Sequence, residues 1–141
     1  MSSTGREIKK YTNLTPDEVK DYLDKFKKAV EENKYTIAIN KNRQENKDFI
    51  YDYRIDTKKE KEILLSLQYD DFCYAVDNEK EEFAHEKLYI FCKCYELDYW
   101  GTLEKVDIYI KINMIPTRRG DDYAFVVSFH KRNKPIKYLF K

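Results

Sequence analysis

The chain has 141 residues, of which 42% are hydrophobic, 38% charged and 16% aromatic, with a formal net charge of +1. That length favours one domain around one core, and this aromatic content excludes a disordered chain. The near-zero charge excludes a whole-molecule field for nucleic acid, and no apolar run has the length of a membrane span or the pattern of a signal peptide, so a cytoplasmic location is expected.

The charge is unevenly spread. Residues 86–141 carry 11 Lys+Arg against 7 Asp+Glu. From Tyr123 onward every charge is positive: Lys131, Arg132, Lys134, Lys137 and Lys141. Such a tail can meet phosphate, or be the solvated surface of a last strand. The 13 tyrosines and many lysines also fit a genome poor in G and C. Cys73, Cys92 and Cys94 are odd in number and suit reduced thiols better than a disulfide framework. With His85 they complete no tetrahedral metal set, so no metal or other cofactor is expected.

In chain order, residues 1–13 are polar and read as a flexible leader before a single domain over 14–141. Thr15, Pro16 and Glu18 form a helix start with a capping box. Val19, Tyr22, Leu23, Phe26 and Val30 follow at helical spacing, and Asn33 is a stop. Tyr35–Ile39 fits either a strand or the lead-in to a second helix. Residues 42–53 read as helix with Phe49, Ile50 and Tyr53 inward. Thr57 and Glu60 suggest a second capping box, ahead of a buried stripe of Ile63, Leu64 and Leu67. Residues 69–76 read as a short helix that buries Phe72 and either Cys73 or Val76, and a charged loop follows.

The period then changes to two, the period of a strand. Residues 87–97 alternate Leu88, Ile90, Cys92 and Cys94 against Tyr89, Phe91, Lys93 and Tyr95. Residues 106–115 alternate Val106, Ile108, Ile110, Ile112 and Met114 against Asp107, Tyr109, Lys111 and Asn113. Residues 116–122 form a hairpin loop with Arg118 and Arg119 at its tip. Residues 123–132 alternate Tyr123, Phe125, Val127 and Phe129 against Ala124, Val126, Ser128 and His130. A short final strand is expected over 136–140, with Pro135 at its start. Helices followed by strands give an α+β fold, with the N-terminal helices on one face of a C-terminal antiparallel sheet of about four strands.

The helices are expected to cover Leu88, Ile90, Cys92, the isoleucine stripe, Phe125, Val127 and Phe129. Lys93, Tyr109, Lys111, Ser128 and His130 then share the open face. That set is chemically sufficient for metal-independent RNA cleavage. Histidine moves protons near neutral pH, lysine holds the developing phosphate charge, and tyrosine donates hydrogen bonds or stacks on bases. Lysine and tyrosine on the wet face of a strand are also ordinary, and lysine there blocks edge aggregation.

The order and spacing of "EILLSLQYDDF", "LYIFCK", "DIYIKINMI" and "VVSFHKRNKPIKYLF" resemble the MqsR-like toxins of the RelE/MqsR group of mRNA interferases, over roughly residues 60–141. The resemblance implies an α+β endoribonuclease that cuts mRNA without metal and is neutralised by a partner antitoxin. It places the catalytic set on Lys93, Tyr109, Lys111 and His130, with Lys131 in place of His130 if the register slips by one. Arg118, Arg119, Lys131, Arg132 and Lys137 would follow the RNA backbone. The family's lysine after the Asp-Phe pair falls on Tyr74, a departure that leaves the general base open. The same scaffold without chemistry would be an RNA- or protein-binding module, and a protein sharing only the fold is a third reading.

Overall fold

The computed structural model describes residues 8–141. The elements are β1 (Lys10–Tyr11), α1 (Pro16–Glu31), β2 (Tyr35–Ile37), α2 (Gln44–Asp52), α3 (Thr57–Leu65), β3 (Phe72–Asp77), β4 (Lys87–Tyr99), β5 (Thr102–Pro116) and β6 (Asp122–Lys131). They build an α+β fold. The sheet has six strands where about four are expected, in the order β1-β3-β4-β5-β6-β2, and β2 lies parallel to β6. Two strands come from segments read otherwise. Lys10–Tyr11, inside the expected leader, pair with β3; residues 1–7 of that leader lie outside the described residues. Residues 69–76 are a single 3₁₀ turn, Tyr69–Asp71, followed by β3 rather than a helix. No helix among the described residues is long and apolar enough to cross a membrane.

Helix α1 begins as its sequence dictates: the Glu18 N–H donates to Thr15 Oγ1, and the Thr15 N–H donates to Glu18 Oε1. It ends before Asn33, whose φ of +60° an asparagine tolerates. Helix α3 is capped by Asp56, which accepts the Lys59 N–H at 2.8 Å. Thr57 is therefore inside the helix, and Glu60 is free of capping and accepts the Tyr35 hydroxyl. The β4–β5 connection is a two-residue turn at Trp100 and Gly101, both with positive φ. That geometry matches the right-handed twist of a long hairpin.

The core lies between the helices and one sheet face. Val19 and Phe26 of α1 and Ile63 and Leu64 of α3 pack with Ile108, Ile110, Ile112 and Val126 of the sheet. Strand β4 is turned over relative to expectation. Phe91 pairs with Ile110, so Tyr89, Phe91, Tyr95 and Leu97 meet the helices. The aromatic stripe wins because its rings bury more area. Tyr22 of α1 stacks flat on Tyr89 with centroids 3.7 Å apart, and Phe72 meets Phe91 edge-on at 5.5 Å. The other stripe, with Ile90 and Cys92, joins Cys73 in a second small core on the far face, covered by Ile136 and Tyr138. Residues 136–140 thus form no strand; they cross the sheet as cover, tied by the Leu139 N–H to the Phe72 carbonyl.

Strand β6 changes phase midway. Lys111 pairs with Ser128, but Ile112 pairs with Val126, so Val127 is the extra residue of a β-bulge. Ala124, Val126 and Phe129 therefore enter the main core, and Phe125 and Val127 line the open face. Beyond β2, the edge of β6 is closed by the buried amide of Asn46 on α2. Its Nδ2 donates to the Ala38 and Val127 carbonyls at 2.7 and 3.0 Å, and its Oδ1 accepts the Phe129 N–H at 2.8 Å. Replacing Asn46 with alanine strands these groups in the interior. Urea denaturation is expected to show a loss of about 1–3 kcal/mol.

Candidate functional site

The open face of the sheet forms a cleft of about 670 Å³. Its floor carries Tyr74 of β3, Ile90 of β4 and Tyr109, Lys111 and Asn113 of β5. Arg43, from the turn that leads into α2, forms part of one wall, and residues from 76–88 form another. Alternation along β5 makes this inevitable: once Ile108, Ile110 and Ile112 enter the core, Tyr109, Lys111 and Asn113 must point the other way.

Two cations converge here. Neither the Lys111 amine nor the Arg43 guanidinium makes a hydrogen bond or ion pair with another described residue, whereas the side chains of Lys93, Arg132 and Lys141 all do. Burial holds the Lys111 amine below its ordinary range; Glu79 opposes that shift, and the Arg43 charge adds to it. Tyr109 stays a protonated donor, because burial and the nearby Tyr74 phenol raise its pKa. The two buried cysteines supply no thiolate: burial raises Cys92 and pushes Cys73 up to about 12.

Of the residues expected to act together, Tyr109 and Lys111 share the cleft, and His130 stands at its border. The His130 ring stacks on Tyr109 with centroids 5.4 Å apart. Its Nδ1 lies 2.8 Å from the Lys131 carbonyl. A carbonyl only accepts, so Nδ1 carries the proton and Nε2 is the acceptor of the neutral ring. His130 also lines a second hollow, beside Glu45, Asp48 and Lys131.

Lys93 is not brought to this site. It pairs with Ile108 on the helix-side face and reaches Asp71, a buried carboxylate, at 3.2 Å. Asp71 also accepts the Gln68 N–H at 2.8 Å and meets Lys141 at 3.5 Å. Lys93 thus neutralises a buried charge that locks the C-terminal segment against β3. The basic residues also scatter. Arg119 lines a groove beside Lys25 and Lys28 of α1, and Arg118 is exposed at the hairpin tip. Lys131 lies over the Tyr53 ring at 5.6 Å. Arg132 binds Asp107 at 3.3 Å, and Lys137 is exposed.

Sequence reasoning missed Arg43 and the role of Tyr74. Arg43 lies in a polar stretch without periodicity, and only the tertiary fold carries it over the sheet. The departure at Tyr74 is the signal that could have drawn attention to that position. No family model matches this chain, and no curated protein or solved structure does.

Two substitutions separate the lysines. Lys93→Ala is expected to cost about 1–3 kcal/mol at neutral pH, through the charge-assisted bond lost to Asp71, and to leave ligand binding in the cleft unchanged. Lys111→Met is expected to raise the thermal midpoint, since it removes a desolvated cation that faces Arg43. The gain should shrink as pH rises through the depressed pKa of Lys111, where the native amine discharges in the folded state but not in the unfolded one. Thermal unfolding across pH checks both.

Proposed function

We propose that the cleft binds single-stranded RNA and cleaves it without metal, by attack of a 2′-hydroxyl on the adjacent phosphorus. The observation that carries this reading is a pair of cations, Lys111 and Arg43, whose side chains have no bonding partner among the described residues and which line one cleft with Tyr74 and Tyr109. Cations that no carboxylate meets at bonding distance among the described residues, in a partly dry cleft, can take up an anion, and a phosphodiester is an anion flanked by rings that stack. Lys111 and Arg43 hold the non-bridging oxygens as charge builds on the pentacoordinate phosphorus. Tyr109 donates a hydrogen bond to the same group. The 2′-hydroxyl proton passes to His130 Nε2, the P–O5′ bond breaks, and the 5′-oxygen takes a proton from Lys111. Its depressed pKa makes that ammonium a better acid than an ordinary lysine. The products are a 2′,3′-cyclic phosphate and a 5′-hydroxyl.

The resemblance of the strand motifs to the RelE/MqsR group supports a wider form of the proposal. In it the fold is RelE/MqsR-like, and the protein is a cytoplasmic toxin that cuts mRNA and is inhibited by an antitoxin protein. Arg118, Arg119, Lys131, Arg132 and Lys137 are too dispersed to form one RNA track. The backbone contacts are therefore assigned first to Arg43 and Lys111.

A second reading, RNA binding without cleavage, is favoured by one observation: the His130 side chain is only 12% exposed and does not line the main cleft. The two readings part in one experiment. The purified protein is incubated with single-stranded RNA in excess chelator, and the ends of the products are analysed. Cyclic-phosphate ends are expected from the native protein and from Lys93→Ala. Lys111→Ala and Arg43→Ala are expected to lower the rate at least about 100-fold, the scale of losing one preorganised charge contact. Lys111-dependent binding with no cleaved ends leaves the binding module; neither binding nor cleavage sinks both readings.

A further inference from the structure

Asn113 is the deepest polar group of the cleft, 6% exposed and on the same face of β5 as Lys111. Its Nδ2 donates to Glu86 Oε1 at 3.0 Å. A carboxylate accepts and cannot donate, so this bond fixes which way the amide is turned. Its Oδ1 is then left buried with no hydrogen-bond partner among the described residues. A buried acceptor of this kind is costly unless something supplies a donor. The Asn78 amide also donates to Glu86 Oε1, at 3.1 Å. Both amides thus load the same carboxylate oxygen, and the carboxylate keeps Oε2 as a second acceptor. Beside them stand two apolar rings open to the cleft: Phe125, the cross-strand partner of Asn113, is 40% exposed, and Phe83 is 42% exposed.

We infer that this end of the cleft is a subsite for a guanine base, with Asn113 and Glu86 as the residues that determine specificity. The inference rests on the RNA reading above and deepens it. Guanine presents two adjacent donors, N1–H and N2–H, on one edge. Adenine and cytosine place an acceptor beside their amino group on that edge, and uracil flanks its single N–H with acceptors. Two acceptors on hydrogen-bonded neighbours that line the same cleft, one on Asn113 and one on Glu86, match the first pattern and repel the others. An exposed phenyl ring beside them stacks on any base and so adds affinity without choice. The subsite lies one β5 alternation from Lys111, so a guanosine seated there sets its own phosphate near the cation pair.

The test uses 2′-O-methyl pentanucleotides, which cannot be cleaved through the 2′-oxygen: UUGUU, UUAUU, UUCUU and UUUUU, titrated into the full chain. UUGUU is expected to bind about 5- to 150-fold more tightly than the other three, the range for one two-bond base contact. Asn113→Ala should erase that preference and leave the common affinity. Glu86→Gln, which preserves shape, should reduce it and guards against misfolding of the first variant. Lys111→Ala should weaken all four alike. Equal affinity of all four, lost with Lys111→Ala, overturns the guanine subsite and leaves the RNA reading standing. A guanine preference that ignores Lys111→Ala keeps the subsite and sinks the phosphate assignment. A preference that survives both Asn113→Ala and Glu86→Gln overturns the residue assignment, and no binding by any pentamer overturns the subsite and the RNA reading together.

Discussion

A single buried amide joins the fold to the cleft. Strand β2 accompanies β6 only from Ala124 to Val126, and past that point the polar groups of β6 have lost their neighbour. Asn46 takes its place, accepting one strand N–H and donating to two carbonyls. Buried backbone groups must be paired, and one side-chain amide offers both a donor and an acceptor to a strand edge. This has three consequences at once. The bulge at Val127 is held, Phe129 turns into the core, and α2 is fixed against β6. Arg43, three residues before Asn46, is thereby carried to the cleft wall.

The two faces of the sheet are built for different purposes. On one, aromatic and aliphatic side chains meet α1 and α3 and supply the apolar burial that drives folding. On the other, apolar groups are confined to the region under Ile136 and Tyr138 and to the cleft walls. Between them lie a desolvated lysine, an arginine whose charge acts on it, and a buried amide oxygen with no donor among the described residues. Local conflicts of this kind, in a chain whose other levels agree, concentrate where a protein binds something.

The contrast between Lys93 and Lys111 shows how little residue type says by itself. Both are lysines on apolar strands, one strand apart. Lys93 meets the buried carboxylate of Asp71, so its charge is spent within the fold. Lys111 meets no carboxylate at bonding distance among the described residues, so its charge is not spent there. A shift of one residue in the phase of β4 would exchange the faces of Lys93 and Cys92, and with them the composition of the cleft.

Much of the architecture was legible in the chain. The capping box at Thr15, the helical stripe from Val19 to Val30 and the isoleucine stripe of β5 are local patterns with local causes. They fix the α+β class and the sidedness of β5, and with it the shared face of Tyr109 and Lys111. What the sequence left undecided were choices between equally apolar alternatives. β4 has two apolar stripes, and only packing against Tyr22 and Phe72 selects one. The bulge in β6 breaks an alternation that reads as continuous, because an extra residue leaves no mark in hydrophobicity. The strand at Phe72–Asp77 and the pairings of Lys10–Tyr11 depend on neighbours far along the chain. The same holds for Arg43 and Glu86, which reach the cleft through turns without periodicity. By itself, then, the sequence determined the helices α1 to α3, the strands β4 to β6 and the two faces of β5. Tertiary structure decided which residues from elsewhere stand beside it, because register and loop path follow from long-range pairing that no local pattern encodes.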